Sequence, residues 1–108
     1  MRRTFILLAM IGISSAAIAA EQTASTKAYD GAMMKMHEGM DISYTGDADA
    51  DFVASMIPHH QGAVDMAKIE LQYGKDPEIR KLAEGVVAAQ EKEIAFMQQW
   101  QAAHPAKK

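Results

Sequence analysis

The sequence predicts an all-α protein, an antiparallel helical hairpin with a Met-rich N-terminal helix laid against it. Three observations carry that prediction. Apolar residues recur at helical spacing over two long stretches, Ala48 to Tyr73 and Pro77 to Ala103. Each stretch opens on a capping signal, Asp47 or Asp49 in the first and Asp76-Pro77 in the second. The sequence holds neither a β-hairpin signal nor a phosphate-binding glycine loop.

Taken in order, the chain opens on Arg2-Arg3, a short apolar run from Phe5 to Ile13, and the small-x-small signal Ala17-Ile18-Ala19. These three parts in this order read as a secretory signal peptide over residues 1–20, cleaved after Ala19 or Ala20. The competing reading is an uncleaved N-terminal anchor. Nothing after Ala20 is apolar enough to cross a bilayer. The expectation is therefore a periplasmic or secreted protein with no membrane contact after cleavage. Removing residues 1–20 from 108 leaves about 88, a size at which the buried fraction is modest. It also removes Arg2 and Arg3, leaving 9 basic against 14 acidic residues, a net charge of −5. That balance argues against nucleic acid and against an anionic membrane surface as partners. There is no cysteine, so a soft metal ion would have to be held by Met and His.

Residues 21–46 form the N-terminal unit. A polar lead is followed by a helix capped at Ser25 or Thr26 and ending near Gly39. Tyr29, Met33, Met36 and Met40 share one of its faces, and Gly31 weakens it. Asp41 to Gly46 reads as a loop. Residues 47–104 form the hairpin. Its first helix runs from Ala48 to Tyr73, with acidic residues at the positive end of the helix dipole. Pro58 either kinks this helix or starts a new one. Gly74 ends it as a C′ glycine. The last helix runs from Pro77 to Ala103 and stops near Pro105. The short link between the two forces them antiparallel.

One stretch stands out, Met56-Ile57-Pro58-His59-His60-Gln61-Gly62-Ala63-Val64-Asp65-Met66. It sets two adjacent imidazoles between two thioethers, a soft ligand set of the kind that suits Cu(I) and Ag(I). On a helical wheel Phe52, Met56, His59, His60, Ala63 and Met66 fall in one sector, with Glu70. The last helix carries an apolar stripe broken by Gln90 and Glu93. Folded about Gly74-Lys75, residues whose numbers sum to about 150 lie level. His60 then faces Gln90 and Met56 faces Ile94, with Glu93 and Met97 a turn away. The polar break on one helix thus meets the histidines of the other. A carboxylate or amide on the far nitrogen of a ligating imidazole is the usual support of a metal site.

Met33, Met36, His37 and Met40 are spaced to chelate one soft ion or to form a second site. Plain core packing has the same spacing. Likewise His–Glu and His–Gln hydrogen bonds alone would account for the polar break. Enzymatic readings find less support. There is no Cys nucleophile, no Ser-His-Asp pattern, no Glu-x-x-His of a di-iron bundle and no HExxH motif. The run Asp47 to Asp51 lacks the glycine and distant glutamate of an EF-hand and reads as a helix start. His104, just before Pro105, reads as incidental.

Met56-x-Pro58-His59-His60-x-x-Ala63-x-x-Met66-Ala67, with Ile79-x-x-Leu82-Ala83 and Gln90-x-x-Glu93-Ile94-x-x-Met97-x-x-Trp100, resembles the family called "domain of unknown function 305". That family includes CopM-like periplasmic copper-binding proteins. The resemblance covers about Asp51 to Trp100. It implies a ferritin-like helical bundle, export, and binding of Cu(I), with Ag(I) as a second ion. By position it implies Met56, His59, His60, Met66 and Met97 as ligands, with Gln90 and Glu93 in support. The expected role is sequestration or hand-over to a copper efflux or assembly protein, without catalysis. Protons compete for imidazole, so affinity is expected to fall as pH drops through about 6.5. Three helices of this length leave the His–Met face short of cover, so a homodimer is expected. The alternative is a helical protein–protein interaction module whose Met face docks a partner and which has no physiological metal.

Overall fold

The computed structural model describes residues 22–106, so the expected signal peptide over 1–20 lies outside the described residues. Three helices follow one another: α1 Ala24–Met40, α2 Ala48–Tyr73 and α3 Pro77–Ala103. No strand occurs among the described residues.

α1 starts earlier than its sequence indicates. Thr23, not Ser25 or Thr26, is the N-cap, and its hydroxyl oxygen accepts the Thr26 N–H at 3.2 Å. The helix also runs past Gly39 to Met40. Gly39 is needed for approach rather than as a stop, since a Cβ there would lie 2.9 Å from the Pro58 ring.

α2 has the expected bounds. Asp47 accepts the N–H groups of Asp49 and Ala50 at 3.1 and 3.3 Å. Pro58 sits inside one continuous helix and does not begin a new one. It has no N–H to give the carbonyl four residues back. Upstream, the Asp51 carboxylate accepts from the Thr45 N–H at 2.8 Å, the Thr45 hydroxyl at 2.9 Å and the Gly46 N–H at 3.1 Å. Gly46 has φ of 90°, a left-handed backbone that glycine adopts without a Cβ penalty. The loop before α2 is thereby fastened to the first turn of α2.

The α2–α3 link departs from the expected C′ glycine. Gly74 has φ −71° and ψ 151°, ordinary extended backbone, and its N–H donates to Glu70 O at 2.6 Å. What glycine supplies here is room, because the Glu70 carboxylate folds over the place a Cβ would take. Asp76 caps α3 through the N–H groups of Glu78 and Ile79 at 2.9 and 3.3 Å. Arg80 then reaches back across the link. Its Nη1 donates to Leu71 O at 2.8 Å and Gly74 O at 3.0 Å, satisfying carbonyls at the end of α2.

α2 is the central helix. α1 and α3 each pack against it, antiparallel, and their backbones do not approach one another. On the α1 side Met36 lies on Gly62 and Gly39 on Pro58. A polar pair closes that seam, with Lys35 Nζ 3.4 Å from Asp65 Oδ2 and Gln61 Nε2 donating to Asp65 Oδ1 at 3.0 Å. On the α3 side Val64, Ile94 and Met97 form the core, with Val53, Met56 and Ile57 packed against it. That core is thin, for Val64 alone among the described residues is fully enclosed.

Two predictions follow from these seams. In Gly62→Ala the new Cβ would meet Met36 at Sδ, Cγ and Cβ, the last only 3.2 Å away, so the root of the side chain and with it α1 must move. We expect a net loss of about 1–2 kcal/mol in urea unfolding, overpacking outweighing the gain of about 1 kcal/mol in helix propensity. The Thr45 N–H, partly opposed by desolvation and aided by the Thr45 hydroxyl and Gly46 N–H, holds the Asp51 carboxyl below its usual 3.8. A lowered folded-state value contributes stability above 3.8 that is lost as pH falls through the folded value. The stability advantage of the native protein over Asp51→Asn at neutral pH should therefore close as pH is taken below 3.8. A gap that stays constant in denaturation series across that range would show that the carboxylate does not hold the loop.

Candidate metal centre

Adjacent residues on a helix point about 100° apart, and α2 uses that angle to give His59 and His60 different surroundings. His60 is turned into the α2–α3 seam and is buried, while His59 is exposed on the side that neither neighbouring helix covers. The two rings are 6.1 Å apart at their centroids and tilted by 58°.

The best-defined contact is between His60 Nε2 and Glu93 Oε2 at 2.5 Å. A carboxylate only accepts, so Nε2 carries the proton and donates. In the neutral ring this leaves the lone pair on Nδ1. Nδ1 is buried and has no hydrogen-bond partner. Such a nitrogen costs about 1–3 kcal/mol when nothing meets it. Glu93 itself stays more than half exposed and reaches over the seam from its rim.

One helical turn along, Met56 lies on the same stripe of α2 as His60, and Met97 on the same stripe of α3 as Glu93. Met97 is in the core cluster and Met56 packs against that cluster. His60, Met56, Met97 and Glu93 are thus gathered along one stretch of the α2–α3 seam. The pairing differs from the expected register. His60 meets Glu93 and not Gln90, which is half-buried. The extended link at Gly74 shifts α3 along α2 relative to a hairpin folded tightly on that glycine.

The remaining candidates lie elsewhere. Met66 is 42% exposed and lies with His59 on the uncovered side of α2. In α1, Met36 is committed to Gly62, while Met33 and Met40 are close to half exposed and His37 is exposed. The antiparallel register set by Gly39 on Pro58 and Met36 on Gly62 puts Met40 within a helical turn of His59 and Met33 within a turn of Met66. Among the described residues no group of three or more His, Cys, Asp or Glu side chains is placed to hold a metal ion. Thioether donors lie outside that class.

Some functional placement escapes sequence reasoning. Asp65 sits off the histidine sector, and only the docking of α1 gives it Lys35 as a partner. His104 is the C-cap of α3 and not a loose tail residue. Its ring stacks on Trp100 with centroids 4.3 Å apart, and its Nδ1 donates to Trp100 O at 2.8 Å. The i, i+4 spacing of an aromatic and a histidine at a helix end was the available signal.

Fold and site together define a small all-α protein whose central helix carries a buried histidine held by a carboxylate on the rim of the α2–α3 seam, with two methionines along the same seam. The chain belongs to the family described as "Domain of unknown function (DUF305)", whose model matches residues 7–101. It is also similar to "Uncharacterized protein L153" of Acanthamoeba polyphaga mimivirus, with 39% identity over 49 residues. That match covers 45% of this chain and 32% of the relative, so it spans about a third of that protein's length.

Replacing Glu93 tests the centre as a structural unit. Glu93→Ala leaves Nε2 of a buried ring without an acceptor and should cost about 1–2 kcal/mol in thermal or urea unfolding. Glu93→Gln keeps an acceptor oxygen and should recover about half of that loss. Equal stability of the native protein and both variants would mean that the contact positions nothing.

Proposed function

We propose that this protein binds monovalent copper through imidazole and thioether ligands, with Ag(I) as a second ion that the same donors accept. The observation that carries the reading is the buried, unpartnered Nδ1 of His60 on a ring held by Glu93. A carboxylate on the far nitrogen fixes tautomer and ring orientation and raises the basicity of a ligating imidazole. Met56 and Met97 supply uncharged, polarisable sulfur beside it, and softness of this kind favours Cu(I) over hard cations. His59 and Met66 extend the donor set on the open side of α2. Met33 and Met40 of α1 supply further thioethers at that edge, while Met36 is taken up by Gly62.

Release follows from the same chemistry. Thioethers need no deprotonation, so an ion held mainly by sulfur can pass to an incoming ligand by exchange. The role that fits is sequestration or hand-over to a copper efflux or assembly protein in the periplasm, without turnover. The three helices are read as part of a ferritin-like bundle. A second reading, a helical interaction module with no physiological metal, draws on the exposed Phe52, Leu82 and Phe96.

The test is an anaerobic Cu(I) titration of the mature protein against a chromogenic chelator, with Zn²⁺ and Ca²⁺ as controls. Met56→Leu and Met97→Leu keep volume and apolarity, so the fold should survive. Each should weaken Cu(I) binding about tenfold or more, equivalent to about 1.4 kcal/mol. The double change His59→Ala, His60→Ala should abolish it. Cu(I) uptake indifferent to the thioethers and imidazoles would end the copper reading and leave the interaction module.

A further inference from the structure

α2 has three working faces. α1 covers one and α3 covers another. The third opens into a groove lined by Tyr29, Ala63, Met66, Glu70, Ile79 and Leu82. The α2 stripe continues beyond it through His59 to Phe52, at intervals of seven residues from Met66. On α1 the stripe of Tyr29 continues through Met33 to Met40. The large apolar residues here are far from buried, with Phe52 at 62% and Leu82 at 63% exposure.

We propose that a second copy of this chain covers the face, with α2 packed antiparallel on its symmetry mate about a twofold axis beside Gln61. Three observations choose that occupant. The first is area. Seven large apolar side chains about half exposed, at roughly 200 Å² each, present about 700 Å² per copy. That exceeds the usual largest patch of a monomer and approaches the roughly 800 Å² per partner of a stable interface. The second is the thin core. Among the described residues the buried apolar ones are Ala32, Val64, Ala67, Ala83, Ile94 and Met97, three of them alanines. A chain this small with so little enclosed needs its cover whenever it is folded, and a second copy is the cover always at hand.

The third is the pattern of the stripe itself. Phe52, Met56 and His59 lie at the same distances before Gln61 as Glu70, Met66 and Ala63 lie after it. An antiparallel crossing therefore sets each His59 ring over the partner's small Ala63, within a turn of the partner's Met66, and each Phe52 beside the partner's Glu70. It also sends the two Glu70 carboxylates to opposite ends, where they do not repel. Each copy then offers His59 next to a thioether of the other chain, so two equivalent donor sets form across the axis. The dimer rests on the apolar face alone. The shared ligand set rests also on the copper reading above.

Light scattering and sedimentation of the mature protein should give a dimer at micromolar concentration. Ala63→Glu places a charge at the axis and should yield monomer. Should that variant fail to fold, cysteine pairing decides instead, because the chain has no cysteine of its own. The paired change Phe52→Cys, Glu70→Cys should crosslink to a covalent dimer under mild oxidant. Eighteen residues of helix, about 27 Å, separate the two positions within one chain and prevent self-closure. A remote Lys68→Cys variant should not crosslink. Met66→Leu should keep the dimer and weaken Cu(I) binding about tenfold. A monomer at all concentrations, or a dimer without the crosslink, overturns the proposed packing. Binding unchanged in Met66→Leu removes the shared ligand set. A dimer of the unsubstituted chain that takes up no Cu(I) leaves the packing standing and defeats only the copper reading.

Discussion

α2 must satisfy two neighbours at once, and the rest of the structure follows from how it does so. Its α1 side is made of small or ringed residues, Gly62 and Pro58, so that Met36 and Gly39 can come close. Its α3 side is made of Val53, Ile57, Val64 and His60. A helix in contact on both flanks has little freedom to rotate, since turning it to improve one seam opens the other. The directions of His59 and His60 are set by that constraint. One ring is driven into a seam and the other is left outside, although the two residues are neighbours in sequence.

Stability here comes from many modest fasteners and little buried hydrocarbon. Each helix start is capped by a side chain, Thr23, Asp47 or Asp76. Asp51 ties the loop ahead of α2, and Arg80 ties the end of α2 to the start of α3. Contacts of this kind orient elements well, and a helix cap adds only about 1 kcal/mol. They hold three helices side by side without enclosing a thick core. The price is an apolar face left open along α2, and that face carries His59 and Met66.

The His60–Glu93 contact joins this architecture to chemistry. A carboxylate on the rim of the seam orients a buried ring and leaves its second nitrogen without a hydrogen-bonding partner. In an ordinary core such a nitrogen would be a defect, because an apolar residue of similar size would cost less there. In the proposed site it is the nitrogen that the ring would offer to the ion. The same residues therefore account for a local weakness in packing and for the proposed affinity for Cu(I).

The helices were legible in the sequence because caps and periodicity are local. Asp47, Asp76 and Pro77 mark starts whose hydrogen bonds reach only two or three residues, so neighbours along the chain suffice to predict them. The meeting of His60 with the polar break on α3 was legible too, since equal rise on two antiparallel helices brings it about; that His59 would stay outside it was not. Their exact pairing was not. Whether His60 meets Gln90 or Glu93 depends on the backbone angles of Gly74, which are set by Glu70 folding over that residue and by Arg80 reaching back. The division of labour between His59 and His60 was likewise decided only in three dimensions. It needs to be known which flank of α2 each neighbour occupies, and that choice rests on contacts such as Met36 on Gly62, between residues 26 positions apart. Local hydrogen bonding made the parts of this protein predictable; the rotation of its central helix, fixed by packing from both sides, decided what those parts face.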